Sequence, residues 1–143
     1  MATISAAVET RNLSRSSTTQ DKIALIGRVL LAAIFVMSGL GKVAAPAATL
    51  AYMKAAGLPF APLGLAGAAL IELGGGLALI LGYRTRLAAT ILAVFALITA
   101  LIFHSALADQ NQMIHFFKNV AMAGGLLQVA AFGGGQLSLD WRN

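Results

Sequence analysis

Glu72 has the surroundings that most constrain its chemistry. It lies inside the apolar run Leu63–Leu81, and the next charge along the chain is Arg84. A carboxylate at the centre of a bilayer-spanning helix costs about 2.5–3.5 kcal/mol on insertion scales, so such a group faces a bundle interior and meets a partner there. Helical spacing supplies two candidates. His115, Lys118, Asn119, Met122 and Gly125 share one helix face, and Arg28, Phe35, Ser38, Gly39 and Lys42 share another. By rise per residue, Lys118 falls about one to two turns outward of the midplane and Arg28 a similar distance inward. Lys118 is the favoured counter-charge and Arg28 the alternative, because His104, Gln112, His115 and Asn119 then extend the polar cluster towards the outer face. These side chains predict a small polar pocket inside the bundle that opens outward.

Two chemistries suit that pocket. In one, Glu72 and its cation form a buried ion pair that fixes helix register. In the other, Glu72 accepts or relays a proton, Lys118 tunes it, and Lys42, His104, His115 and Asn119 bind a small polar or quinone-like molecule. His104 and His115 sit at adjoining helix ends, where two imidazoles could in principle ligate haem or a metal. No other haem or metal signal accompanies them, so hydrogen-bonding histidines are the expected reading and no metal site is assigned. The chain has no cysteine, which removes thiolate chemistry and Cys-ligated metals from it. No Ser/His/Asp grouping, paired carboxylates or Walker-type loop occurs.

The elements that position these residues are helices made for lipid. Of 143 residues, 59% are hydrophobic and 10% charged, with mean hydropathy +0.84. A soluble domain carries about 25% charged residues. Four windows account for the excess, Ile23–Leu40, Leu63–Leu81, Leu87–Phe103 and Phe116–Phe132, each near the ~20 residues that cross ~30 Å of hydrocarbon. The expected fold is all-α, an antiparallel bundle of four transmembrane helices at about 23–41, 62–82, 87–104 and 114–132, within one domain, 23–133. Gly64, Ala68, Gly75 and Gly76 line up with Glu72 as a small-residue packing surface.

Residues 1–22 read as a disordered cytoplasmic tail and 134–143 as a short second tail, with Trp141 and Arg142 as interfacial anchors. Pro46 is expected to start a short interfacial helix running through Ala56, with Gly57 after it and Pro59 enforcing the stop. The net charge of +5 is unevenly placed. Arg11, Arg15, Lys22, Arg28, Arg84, Arg86 and Arg142 fall on one side, and Lys42, Lys54 and Lys118 on the other. The positive-inside rule then puts both termini in the cytoplasm. Little aromatic and basic surface remains outside the bilayer, so nucleic acid is not an expected partner.

Five segments in order, "SGLGKV" at 38–43, "YMKAAGLP" at 52–59, "ELGGGLALILGYRTRLAA" at 72–89, "FH" at 103–104 and "HFFKNVAMAGGLL" at 115–127, resemble the DoxX family of small four-helix bacterial membrane proteins. The similarity is closest to the family's YqjF-like inner-membrane branch and covers about residues 23–140. It implies a multi-pass inner-membrane protein. Members of the family are linked to quinone-dependent thiosulfate oxidation, to quinone and catechol resistance, and to soluble redox partners. Lys42, Glu72, Arg84, His104, His115, Lys118 and Asn119 are the polar residues at motif-like positions. Without cysteine, any sulfur chemistry would take place on a partner.

Three functions compete on these grounds. The first is a redox-associated accessory subunit that handles a quinone at Glu72. The second is a structural or assembly subunit docking a soluble or membrane redox partner. The third is a small-solute transporter, which four helices would form only as a homo-oligomer and without the broken inverted repeat common in such proteins.

Overall fold

The computed structural model describes residues 2–142, with side chains from residue 18 onward. The elements are helices: α1 (Ala2–Ala44), α2 (Pro46–Ala55), α3 (Ala61–Leu81), α4 (Thr85–Phe103) and α5 (Gln110–Phe132), followed by a single 3₁₀ turn, Leu139–Trp141. No strand occurs among the described residues. The tail expected over 1–22 falls mostly on residues whose side chains lie outside those described.

Three stretches are long and apolar enough to cross a membrane, Thr18–Ala44, Ala61–Leu81 and Thr85–Phe103. The fourth expected span, α5, has 23 residues and so reaches about 34 Å. Its polar residues His115, Lys118, Asn119 and Gln128 keep its hydropathy below that of the other three. α5 also starts at Gln110 instead of about 114, because the Asp109 carboxylate caps it and accepts from Gln112 N at 2.9 Å.

Around the bundle, α1 packs on α3, α3 on α4, α4 on α5, and α5 returns more lightly to α1. α3 and α5 therefore occupy opposite corners. The α1–α3 seam is close because it is built from glycine. A Cβ on Gly76 would lie 2.7 Å from Val36 Cγ2, and one on Gly39 would lie 2.7 Å from Leu73 Cγ. α4 offers α5 a face of Ala89, Ala93, Ala96 and Ala100, all buried. Ala32, Phe35, Leu79, Leu92, Ala123 and Leu126 complete the core.

The outward surface is apolar, with Leu30, Leu70, Leu101 and Leu127 all exposed on it. Such a surface is stable against hydrocarbon and not against water.

α2 covers one end of the bundle. Pro46 opens it, Gly57 follows its end at φ +75°, and Met53 packs with Ala61 and Ala68 beneath it. At the other end Gly82 (φ +68°) makes the α3–α4 turn and Arg84 takes a left-handed conformation at φ +43°. The C-terminal residues fold back across that turn, with Asp140 N donating to Gly82 O at 3.0 Å.

Candidate functional site

Glu72 is 4% exposed, as its place in α3 predicts, but its cation is Lys42 and not Lys118 or Arg28. Lys42 Nζ lies 2.9 Å from Oε1 and 2.9 Å from Oε2. Ser38, one turn earlier on α1, accepts from the same Nζ at 2.8 Å and donates to Glu72 Oε1 at 3.1 Å. Oε1 thus takes two hydrogen bonds. The same ammonium contacts both carboxylate oxygens, so the pair is closed on the α1 side and its charge is neutralised within the bundle.

The pairing follows from packing. Gly39 lets α1 approach α3 until the Gly39 backbone nears Glu72 Cβ, so Ser38 and Lys42 on either side reach the carboxylate. Lys118 rides on α5, at the corner opposite α3, and is exposed. Arg28 stands 14 residues before Lys42, about 21 Å along α1, and is engaged there. Its Nη1 donates to Leu79 O at 3.3 Å and its Nη2 to Leu137 O at 2.8 Å.

Glu72 opens onto a cavity of about 450 Å³. Five of the residues singled out from sequence line it together: Lys42, Glu72, His104, His115 and Asn119. The remaining wall is apolar and aromatic, including Met53, Phe95 and Phe103, with Tyr52 stacked on Phe103 at a centroid distance of 5.6 Å. Lys118 lines a neighbouring cavity of about 530 Å³ instead.

The rings of His104 and His115 stack at 5.1 Å and 23°, which leaves no gap for a porphyrin between them. His104 Nδ1 lies 2.8 Å from Gln112 Oε1. With that oxygen as acceptor, Nδ1 carries a proton. Asn119 Nδ2 donates back to His115 O at 3.2 Å. Among the described residues, no three His, Asp or Glu gather as a metal site would require.

Family comparison agrees with this architecture. The DoxX model matches residues 23–105 and the SURF4 family model residues 68–143. The chain belongs to the DoxX family. It is 40% identical over 121 residues to the inner membrane protein YqjF of Escherichia coli K12, covering 85% of this chain and 92% of that protein. It is 34% identical over 123 residues to the inner membrane protein YphA of the same organism, covering 82% and 88%. No solved structure matches. As a DoxX-family protein with three long apolar helices, the chain is an integral membrane protein.

The sequence reading missed a second polar cluster in this DoxX-family chain, at the α3–α4 turn. The Asp140 carboxylate caps α4 from a distance, with Oδ1 accepting from Arg84 N and Oδ2 from Thr85 N, both at 2.7 Å. Asp21 Oδ1 accepts from Gln136 N at 2.8 Å, and Arg28 holds Leu137 O. Burial pushes the Asp140 carboxyl upward, yet the Thr85 hydroxyl, the Thr85 and Arg84 amides and the Arg28 guanidinium together bring it below its ordinary value. These contacts tie residues 136–140 to α1 and to the α3–α4 turn, so the cluster anchors the C-terminal segment.

Proposed function

We propose that this protein is a four-span inner-membrane protein, with both termini cytoplasmic, that binds a quinone or similar small planar molecule in the Glu72 cavity. The observation that carries the reading is the Glu72–Lys42 charge pair, set with Ser38 in the wall of a largely apolar and aromatic chamber. A ligand hydroxyl can donate to the Glu72 carboxylate, and a ligand carbonyl can accept from the Lys42 ammonium. The His104 imidazole lines the same chamber, and Phe95, Phe103 and Tyr52 suit a flat ring. Glu72 is the proton acceptor of this site and Lys42 its counter-charge.

The composition of the chamber and the family's inner-membrane relatives support the location. The distribution of Lys and Arg supports the orientation. The site supplies binding and a proton-accepting group, and electron transfer belongs to a partner.

Equilibrium binding of a short-chain benzoquinol to purified protein in nanodiscs tests this reading. Glu72→Gln should weaken binding about tenfold, the loss of one charge-assisted hydrogen bond. Unchanged binding in a normally folded Glu72→Gln protein overturns it.

The Ser38–Lys42–Glu72 network favours a second reading, in which the ion pair only ties α1 to α3 and the protein docks a redox partner as an assembly subunit. That reading expects no quinol binding by the wild type and rescue of stability by exchanging the two charges.

A further inference from the structure

The chamber at Glu72 shares a wall with a second cavity, and the second is lined by residues of α1 and α5 that are exposed on the outside of the bundle. The two cavities share Ser38, Glu72, Phe95, Thr99, His115 and Asn119, so Glu72 stands where they meet. From there the second runs between α1 and α5 to Ile34, Lys118, Ala121 and Met122. Ile34, Lys118 and Ala121 are exposed on the outside of the bundle, on a side whose neighbouring surface is apolar.

The α1–α5 seam explains the opening. It is the more lightly packed side of the four-helix ring. It closes where a Cβ on Gly125 would lie 3.3 Å from Leu31 Cδ2. One turn outward, Ala121 and Ile34 line the second cavity.

We infer that this seam is a lateral portal, and that the ligand is a bilayer amphiphile with a compact hydrogen-bonding head and an apolar tail. The head enters from the membrane and reaches Glu72, and the tail stays between α1 and α5. The polar groups of the chamber cluster at one end, at Ser38, Lys42, Glu72 and the histidines. The seam end is walled by Ile34, Phe35, Ala121 and Met122. A wholly polar solute would leave that wall unmatched, whereas a head-and-tail molecule matches both ends. Lys118 puts an ammonium on the lip, on a stem long enough to lie along apolar surface while its charge meets a polar head.

This inference rests on the Glu72 cavity being a ligand site, and the test separates the two. Two benzoquinols with the same head are used on the protein in nanodiscs, one without a tail and one with a ten-carbon tail ending in a diazirine. Photolysis of the tailed probe should label α1 and α5 peptides at Ile34–Phe35 and Ala121–Met122, and excess tail-less quinol should suppress the labelling. Ala121→Trp, a change at an exposed position, should weaken the tailed probe about tenfold more than the tail-less one. Labelling spread evenly over lipid-facing residues and insensitive to competition overturns the portal. Equal effects of Ala121→Trp on both probes do the same. Unchanged tail-less binding in Glu72→Gln overturns the cavity reading instead, while competed labelling at the seam would still stand for the portal.

Discussion

Lys42 on α1 places its ammonium 2.9 Å from each carboxylate oxygen of Glu72 on α3. With the Arg28 contact to Leu79 O near the other end, this pair sets the antiparallel register of two helices whose glycines would otherwise let them slide. Breaking one partner of a buried pair leaves an uncompensated charge and costs about 3–5 kcal/mol. Lys42→Met should therefore destabilise the protein strongly. Lys42→Met with Glu72→Gln should recover much of that loss, because no buried charge is left. Denaturant unfolding in detergent micelles measures both. Equal destabilisation by the single and double variants would show that the two side chains are not energetically coupled.

Gly76 and Gly74 stand two residues apart on α3 and meet opposite environments. A Cβ at 76 would press on Val36 at 2.7 Å, whereas one at 74 meets nothing within 4 Å. Gly76→Leu should separate α1 from α3 at a cost of about 1–3 kcal/mol. Gly74→Leu, on the outward face, should stay within about 0.5 kcal/mol of the parent. Thermal unfolding of the two variants side by side checks the contrast, and a similar loss in both would mean that the seam is not where the helices are held.

Much of this bundle was legible because lipid imposes simple demands. Long apolar windows had to be helices, and an isolated carboxylate had to point inward. Of the two polar stripes, Ser38 and Lys42 on α1 and His115 and Asn119 on α5 line the chamber, whereas Lys118 lines the neighbouring cavity and Arg28 is held at the other end of the bundle. The partner of Glu72 was not legible. Depth along a helix is readable from rise per residue, but which helix occupies the adjacent corner is not, and Lys118 was favoured because it lies with the polar residues of α5 and the outer loop. Gly39 is where α3 comes closest, but Gly41 two residues on meets nothing within 4 Å, so the sequence alone did not single it out. Nothing local marked Asp140 as a cap for α4, because the contact spans 55 residues and depends on the tail folding back.

His104 and Gln112 offer a test of the outer rim. Nδ1 to Oε1 at 2.8 Å orients the His104 ring at the edge of the cavity it lines. Gln112→Ala should keep the fold and free the ring, weakening quinol binding about two- to fivefold, the order of one neutral hydrogen bond. His104→Ala should weaken it at least as much. Titration of both variants in nanodiscs with the tail-less quinol measures this. Full affinity in His104→Ala would remove that imidazole from the site.

Asp140 makes the C-terminal anchor respond to acid in one direction only. Its carboxyl is held below the ordinary value of 3.8, so the folded state favours the charged form. The stabilisation is fully present above the unfolded value and is lost as pH falls through the lower, folded one. The adjacent Trp141 is the only tryptophan in the chain and reports the state of this segment. Its emission should stay constant from neutral pH down to about 4 and shift only below that. Asp140→Asn cannot hold the Arg84 and Thr85 amides with charge, and should show the acid-type emission already at neutral pH. A Trp141 transition between pH 5 and 7 in the parent protein would assign the anchor to some other group.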